Sequence, residues 1–242
     1  GANNVAVGRF ALRQNQTASN NTAVGLNALT ANTTGSENVA VGRLCLDANT
    51  TGANNVAMGN QALGANTTGG DNVGLGENAL AANISGTQNV AVGSLAGDAI
   101  TTGDQNIAVG RAALTTATTG DQNVAMGVSA LEGVTTGGTN VAIGPNAGAS
   151  ITSGGNNIAL GSAAGITGSP GGNVTTQSNR LGLGDENITE AHIQVDWTVA
   201  SDARDKTDFT ALDLGLDFVK ALAPVTYKWD KRSKYGDKTA DG

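Results

Sequence analysis

Residues 38–54, NVAVGRLCLDANTTGAN, carry the pattern of most of this chain in a single unit. Valine, alanine and valine alternate and are closed by Gly42; a second short apolar stretch then runs into the polar cluster Asn49-Thr50-Thr51-Gly52. The unit returns on both sides. Its leading asparagine recurs as Asn4, Asn21, Asn38, Asn55, Asn72, Asn89, Asn106, Asn123, Asn140 and Asn157, always 17 residues apart, and the closing glycine keeps step from Gly8 to Gly161. Ten copies without an insertion put every unit in an equivalent place in space. An eleventh, SNRLGLG, is read with Asn179 as its leading asparagine and follows a 23-residue step that holds the insertion GSPGG.

Seventeen residues are too few for a helix pair, whose units need about 30 or more. They suit one coil of a parallel β-solenoid, expected as two strands of about five residues and two turns. Val5 and Val7 point one way and Ala6 the other, the period of two of a strand. Ten coils stacked at about 4.8 Å predict a length of about 48 Å. The apolar surface of one coil falls well short of the entropy lost in ordering its residues, so coils must share burial with their neighbours. Chains are expected to associate as well, through the smooth alanine face or the leucine column.

Composition agrees. Glycine makes up 36 of 242 residues, charged residues only 14%, and of the seven aromatic residues Phe10 alone precedes residue 197. A conventional core cannot be built from that, because large side chains supply most buried area. The first 200 residues hold five arginines, no lysine and twelve carboxylates, a net charge of −7, whereas residues 201–242 balance eight of each sign. A lysine-free acidic body repels phosphate, so nucleic acid is not an expected partner. No apolar run is long enough to span a membrane, and no membrane insertion is expected.

The columns of the repeat can be read one at a time. The leading asparagines form an internal hydrogen-bonded ladder or cap a turn. Adjacent threonines (Thr33–Thr34, Thr50–Thr51) face opposite sides, which excludes a flat ice-binding array. Cys45 takes a place held by alanine elsewhere and reads as a small buried residue; alone, it excludes an intrachain disulfide and a cysteine-based zinc site. Eleven residues past each leading asparagine stand Asn15, Asn32, Asn49, Asn66 and Asn83, then Ile100, Ala117, Val134 and Ile151, so the second half of the solenoid differs from the first. The acidic residues Glu37, Asp71, Glu77, Asp104 and Asp121 read as scattered, without column alignment. No histidine precedes His192, which rules out a Ser-His pair in the repeats. His192 reads as a surface or interface residue of a terminal strand. No metal and no cofactor is expected anywhere in the chain.

After Ala200 the texture changes. In SDARDKTDFTALDLGLDFVKALAPVTYKW, Leu212, Leu216, Val219 and Leu222 fall on one helical face, with Thr210 as N-cap and Pro224 past the end; residues 225–229 then alternate as a strand. SDARDK, a helix and PVTYKW in that order resemble the opening part of the endosialidase-type intramolecular chaperone domain, found at the C-termini of bacteriophage tail fibres and tailspikes. In that family the chain cuts itself before the serine of S-D-x-R-x-K with a serine–lysine dyad. The resemblance implies Ser201 as nucleophile, Lys206 as its base, Asp202 and Arg204 as supporting motif residues, and Ala200–Ser201 as the scissile bond. A serine needs a nearby base, and a lysine whose pKa is lowered by burial can serve without histidine.

The repeats are similar to the tandem units of phage and bacterial tail-fibre-domain proteins. They also resemble the head repeats of trimeric autotransporter adhesins, shorter than 17 residues, which form left-handed parallel β-rolls associated as trimers. Together these imply an all-β fold, a parallel β-solenoid or β-roll of 17-residue coils in an intertwined or side-by-side homotrimer, followed by a small α+β C-terminal segment. The expected organisation is a ten-coil shaft over 1–165, an irregular repeat and junction over 166–200, and the opening of a chaperone domain over 201–242. Residues 166–178 read as a spacer. The implied role is the structural, host-attaching part of a phage tail fibre, made in the host cytoplasm and carried on the virion tail. Its partners would be a cell-surface polysaccharide or protein receptor and other virion tail proteins. A bacterial trimeric surface adhesin, or a polysaccharide depolymerase spike with its catalytic part elsewhere, stands as the alternative.

Overall fold

A small residue between two aliphatic ones lets a strand turn its middle side chain into a narrow interior and leave its neighbours outside. The chain uses this device ten times, and one further strand opens with Thr22 in place of the first aliphatic residue. A computed structural model describes residues 1–166, 168 and 172–190. In it, eleven three-residue strands, from β1 (Val5–Val7) through β10 (Ile158–Leu160) to β11 (Leu181–Leu183), form one sheet in sequence order, every neighbour parallel. Pairing runs one coil on: Val39 opposite Val56, Ala40 opposite Ala57, Val41 opposite Met58. The step is 23 residues only between β10 and β11, where Ile158 meets Leu181. The fold is therefore an all-β parallel solenoid of 17-residue coils.

Each coil carries one strand of three residues, not two of about five. The second apolar stretch is a run of turns, because alternate residues in it adopt left-handed backbone. Leu44 (φ 53°) and Leu46 (φ 51°) do so in the coil quoted above, and Glu37 (φ 63°), just before the leading asparagine, is a third. The same three places are left-handed in coil after coil. A non-glycine residue there gives up about 1–2 kcal/mol. Burial repays it: Leu29, Leu46, Leu63 and Leu80 are fully buried and stack beneath the strand alanines.

Polar side chains complete the interior. Counting coil 1 from Asn4, the leading asparagine of each coil from Asn55 on donates its backbone N–H and its Nδ2 to Oδ1 of the asparagine one coil earlier; for Asn72 and Asn55 the distances are 3.1 and 3.2 Å. Nδ2 also donates to a glycine carbonyl at the far side of its own coil, as Asn38 does to Gly52 at 2.9 Å. A second ladder climbs from Asn15 through Asn32, Asn49 and Asn66 to Asn83. Its Nδ2 groups reach the same glycine carbonyls, Asn49 lying 3.0 Å from the oxygen of Gly52. The first ladder is thus an internal hydrogen-bonded column. Asn179, however, is not its eleventh member. It stands beside Asn156 (2.7 Å), and Arg180 takes the place after Asn157, donating its backbone N–H to Asn157 Oδ1.

The change of column after Asn83 is a matter of volume. Where Ile100 and Ile151 replace asparagine, the buried leucine three residues before them becomes Gly97 and Gly148. A methyl group added at Gly97 would lie 3.0 Å from Ile100 Cδ1 and 3.2 Å from Leu80 Cδ2. Ala117 and Val134, which are smaller, keep Leu114 and Leu131. The amide ladder ends where these aliphatic residues begin. Asn83 Oδ1 is left as the one buried side-chain polar atom without a partner among the described residues.

Candidate functional site

What the coils leave outside is as regular as what they enclose. The residues flanking each inward alanine form two parallel files of aliphatic side chains along the outer face of the sheet. One runs Val39, Val56, Val73, Val90, Ile107, Val124, the other Val41, Met58, Leu75, Val92, Val109, Met126. All are half-buried or exposed, and Val7, Met58, Met126, Ile143 and Leu183 reach 42–57% exposure. An unbroken apolar strip of this length on a single chain marks an interaction surface. Parallel sheets are ordinarily covered on both faces, and here only the inner one is.

The expected contact surfaces are not available. Alanines of the strand (Ala40, Ala57, Ala91) and the leucine column are 0% exposed, filling the interior of each coil. An interior that narrow admits only alanine or glycine at mid-strand, which forces the bulkier valines outward. The alternation held that signal: the smaller of two alternating residues belongs on the tighter side.

The remaining surface is mostly polar, with Phe10, Leu26, Ile84, Val128 and Ile188 as exposed apolar side chains outside the files. Thr33, Thr50 and Thr67 are half-buried and donate their hydroxyls to a carbonyl one coil on, at 3.0 Å each, while Thr34, Thr51 and Thr68 are exposed. Acidic residues do align, contrary to expectation. Asp104 and Asp121 share one column: Thr87 donates from N (2.6 Å) and Oγ1 (3.0 Å) to Asp104 Oδ1, and the Asp104 N–H donates to Asp121 Oδ1 at 2.8 Å. Their carboxylates serve as rungs between coils. Among the described residues, no three His, Cys, Asp or Glu side chains gather as a metal would need. No helix there is long and apolar enough to cross a membrane.

Two ionisable groups feel the interior. Cys45, 0% exposed, packs as the small residue its column demands, its Sγ 3.1 Å from the Ala57 carbonyl. Burial pushes its thiol up to about 12. Desolvation also raises the half-buried Asp47 above the ordinary carboxylate range, against the pull of its own backbone N–H and of Arg43. Phe10 lies between two guanidinium groups, Arg9 at 4.4 Å and Arg13 at 5.3 Å from its ring centre.

Ser201, Lys206, Asp202, Arg204, the Ala200–Ser201 bond, His192, and the helix and strand expected beyond residue 210 all lie outside the described residues. Residues 201–241 match the family described as chaperone of endosialidase. That match begins at the serine of SDARDK and covers the segment whose composition departs from the repeats. Neither the curated proteins nor the solved structures hold a match to this chain.

Proposed function

We propose that this chain is the structural, host-attaching part of a phage tail fibre, a homotrimeric solenoid whose C-terminal segment directs assembly and then cuts itself off between Ala200 and Ser201. The observation that carries the reading is the chaperone-of-endosialidase match at 201–241, placed directly after a long solenoid of near-identical coils. Those two parts need one another. Adjacent coils differ so little that a chain sliding one unit along its neighbour loses only end contacts, so repetition alone cannot fix register. A separate device at one end, which holds the chains level while the coils close, supplies what the repeats lack.

The outer aliphatic face is the place for chains to meet. Two files of valine, isoleucine, leucine and methionine on each chain, turned toward a common axis, bury apolar area along the whole length without altering any coil. The first 200 residues carry net −7, which argues against an anionic polymer lying along the body. A receptor, whether polysaccharide or protein, is then met by the polar outer columns, where side chains change from coil to coil. In the C-terminal segment Ser201 acts as nucleophile and Lys206 as its base, with Asp202 and Arg204 supporting the motif, in a single turnover.

The test is the intact mass of the chain expressed through its natural reading frame, beside Ser201→Ala. A wild-type fragment ending at Ala200 and missing from the variant is the expected result. An uncut wild-type chain overturns the self-cleavage.

A further inference from the structure

Coils 5 (residues 72–88) and 6 (residues 89–105) are joined differently from the coils before them, with the interior bonds lost and surface bonds in their place. From Asn15 to Asn83, each amide of the second ladder donates to the one below it. At Ile100 the donor disappears, and the buried Oδ1 of Asn83 accepts nothing. The threonine file breaks at the same boundary. Thr67 donates its hydroxyl to the carbonyl of residue 84, Ile84 has none to give, and the file resumes with Thr101 on the carbonyl of Thr118. At the next two boundaries, between coils 6 and 7 and between coils 7 and 8, a backbone bond is skipped that the 5/6 boundary keeps. The amides of Gln14, Ala31, Ala48, Ala65 and Ala82 reach carbonyls one coil on, as does Gly133, but those of Ala99 and Thr116 do not. Thr116 turns its hydroxyl to the carbonyls of Glu132 and Val134 instead. Two rungs are added nearer the surface: Thr87 donates to Asp104 from N and Oγ1, and the exposed Gln105 Nε2 donates to Gln88 Oε1 at 2.9 Å, but neither reaches the buried acceptor.

In a stack where each unit touches only its neighbours, stability is a sum of nearest-neighbour terms, and the weakest term decides where the stack parts. A buried acceptor left unsatisfied is among the larger of those terms. We infer that the boundary between residues 83 and 100 is a built-in joint, at which the solenoid opens as two blocks, coils 6–10 ahead of coils 1–5.

Hydrogen exchange read by mass spectrometry on the full chain tests this, in mild denaturant chosen so that both halves exchange. Amides of coils 1–5 are expected to be protected about tenfold or more beyond those of coils 6–10, with the step between residues 83 and 100. The double variant Gly97→Leu/Ile100→Asn restores the pairing used below it. Its new amide donates to Asn83 and passes the unpaired acceptor one coil up, so the step moves to between residues 100 and 117. Ile84→Thr, at an exposed position, returns the missing hydroxyl and narrows the step; it keeps the test decisive should the double variant fail to fold. Uniform protection, a step elsewhere, or a step that neither variant moves overturns the joint.

Discussion

Leucine at a left-handed position is the residue on which each coil turns. Leu63, fully buried at φ 52°, shows why. Its unbranched Cβ tolerates the left-handed backbone, and its branched end still fills the space under Ala57 and Ala62. Leu63→Met keeps both properties and is expected to cost less than about 1.5 kcal/mol in denaturant unfolding. Leu63→Ile keeps the volume but moves the branch to Cβ, where the left-handed conformation has no room for it, and is expected to cost at least about 2 kcal/mol. Equal costs would mean that packing volume, not backbone conformation, selects leucine here. Cys45 makes a second residue-scale prediction. With its thiol near 12 and its side chain enclosed, it should react with a disulfide reagent at pH 8 only as fast as the protein unfolds, and Cys45→Ala should fold normally, as the alanines of its column do. Asp47 completes the set. Because its folded carboxyl sits above the ordinary range, the folded protein binds that proton more tightly than the unfolded chain. Its ionisation therefore opposes folding at neutral pH, and acidification through the carboxylate range relieves the cost. Asp47→Asn should raise the melting temperature at pH 7 and lose that advantage as the pH falls through that range.

At the scale of the coil, two kinds of bond compete for the interior and both are satisfied. Asn72 is one example. It donates to Asn55 Oδ1 and to the Gly86 carbonyl at 2.8 Å, and accepts from the backbone N–H of Asn89 at 2.9 Å. Asn72→Leu would strand the Asn89 N–H in an apolar interior and leave the Gly86 carbonyl to Asn83 Nδ2 alone (3.1 Å), and should cost at least about 2 kcal/mol, read from the denaturant midpoint. A loss below about 1 kcal/mol would show that the ladder is dispensable. The corner glycines admit no side chain at all. At Gly59 (φ 138°) a methyl group would overlap the backbone of Gly76. The 17-residue period and the asparagine ladder were legible in the sequence, since each leaves a residue type at a fixed spacing; the inward turn of the alanine was not read from it, and its face was expected at a contact between chains. The single short strand was not legible either. Left-handed leucine leaves no compositional trace, because leucine also suits an extended or helical backbone. The place of Asn179 was hidden for a related reason: two polar residues in a row, Asn179 and Arg180, fit either column until strand pairing decided between them.

For the whole molecule, the useful distinction is between a face that repeats and faces that vary. The outer aliphatic files hold their character from β3 to β11, Thr22 interrupting one of them in β2, while the polar columns beside them change from coil to coil. If chains meet on the constant face, charge placed there should separate them without unwinding a coil. Val73→Lys/Val124→Lys is expected to shift the sedimenting species to monomer while the far-ultraviolet circular dichroism stays that of the parent. Thr68→Lys, on the exposed hydroxyl file, should leave association intact. Unchanged sedimentation of the double variant would remove this face as the contact. The serine–lysine pair is a proposal from its motif, because nothing about spacing alone brings Ser201 and Lys206 together.

The constant pairing of each residue with the one seventeen further on has a consequence for how such a chain changes length. Removing one whole unit, for instance residues 55–71, brings Asn72 to the place of Asn55 with every partner of the same kind, and shortens the stack by about 4.8 Å. Removing sixteen or eighteen residues instead leaves one coil that cannot close in step with its neighbours, a misfit that has to be absorbed locally, as the longer step before β11 is. Length in this molecule is therefore counted in whole steps, and a gene made of nearly identical blocks can lengthen or shorten it by misaligned recombination without redesigning anything that remains.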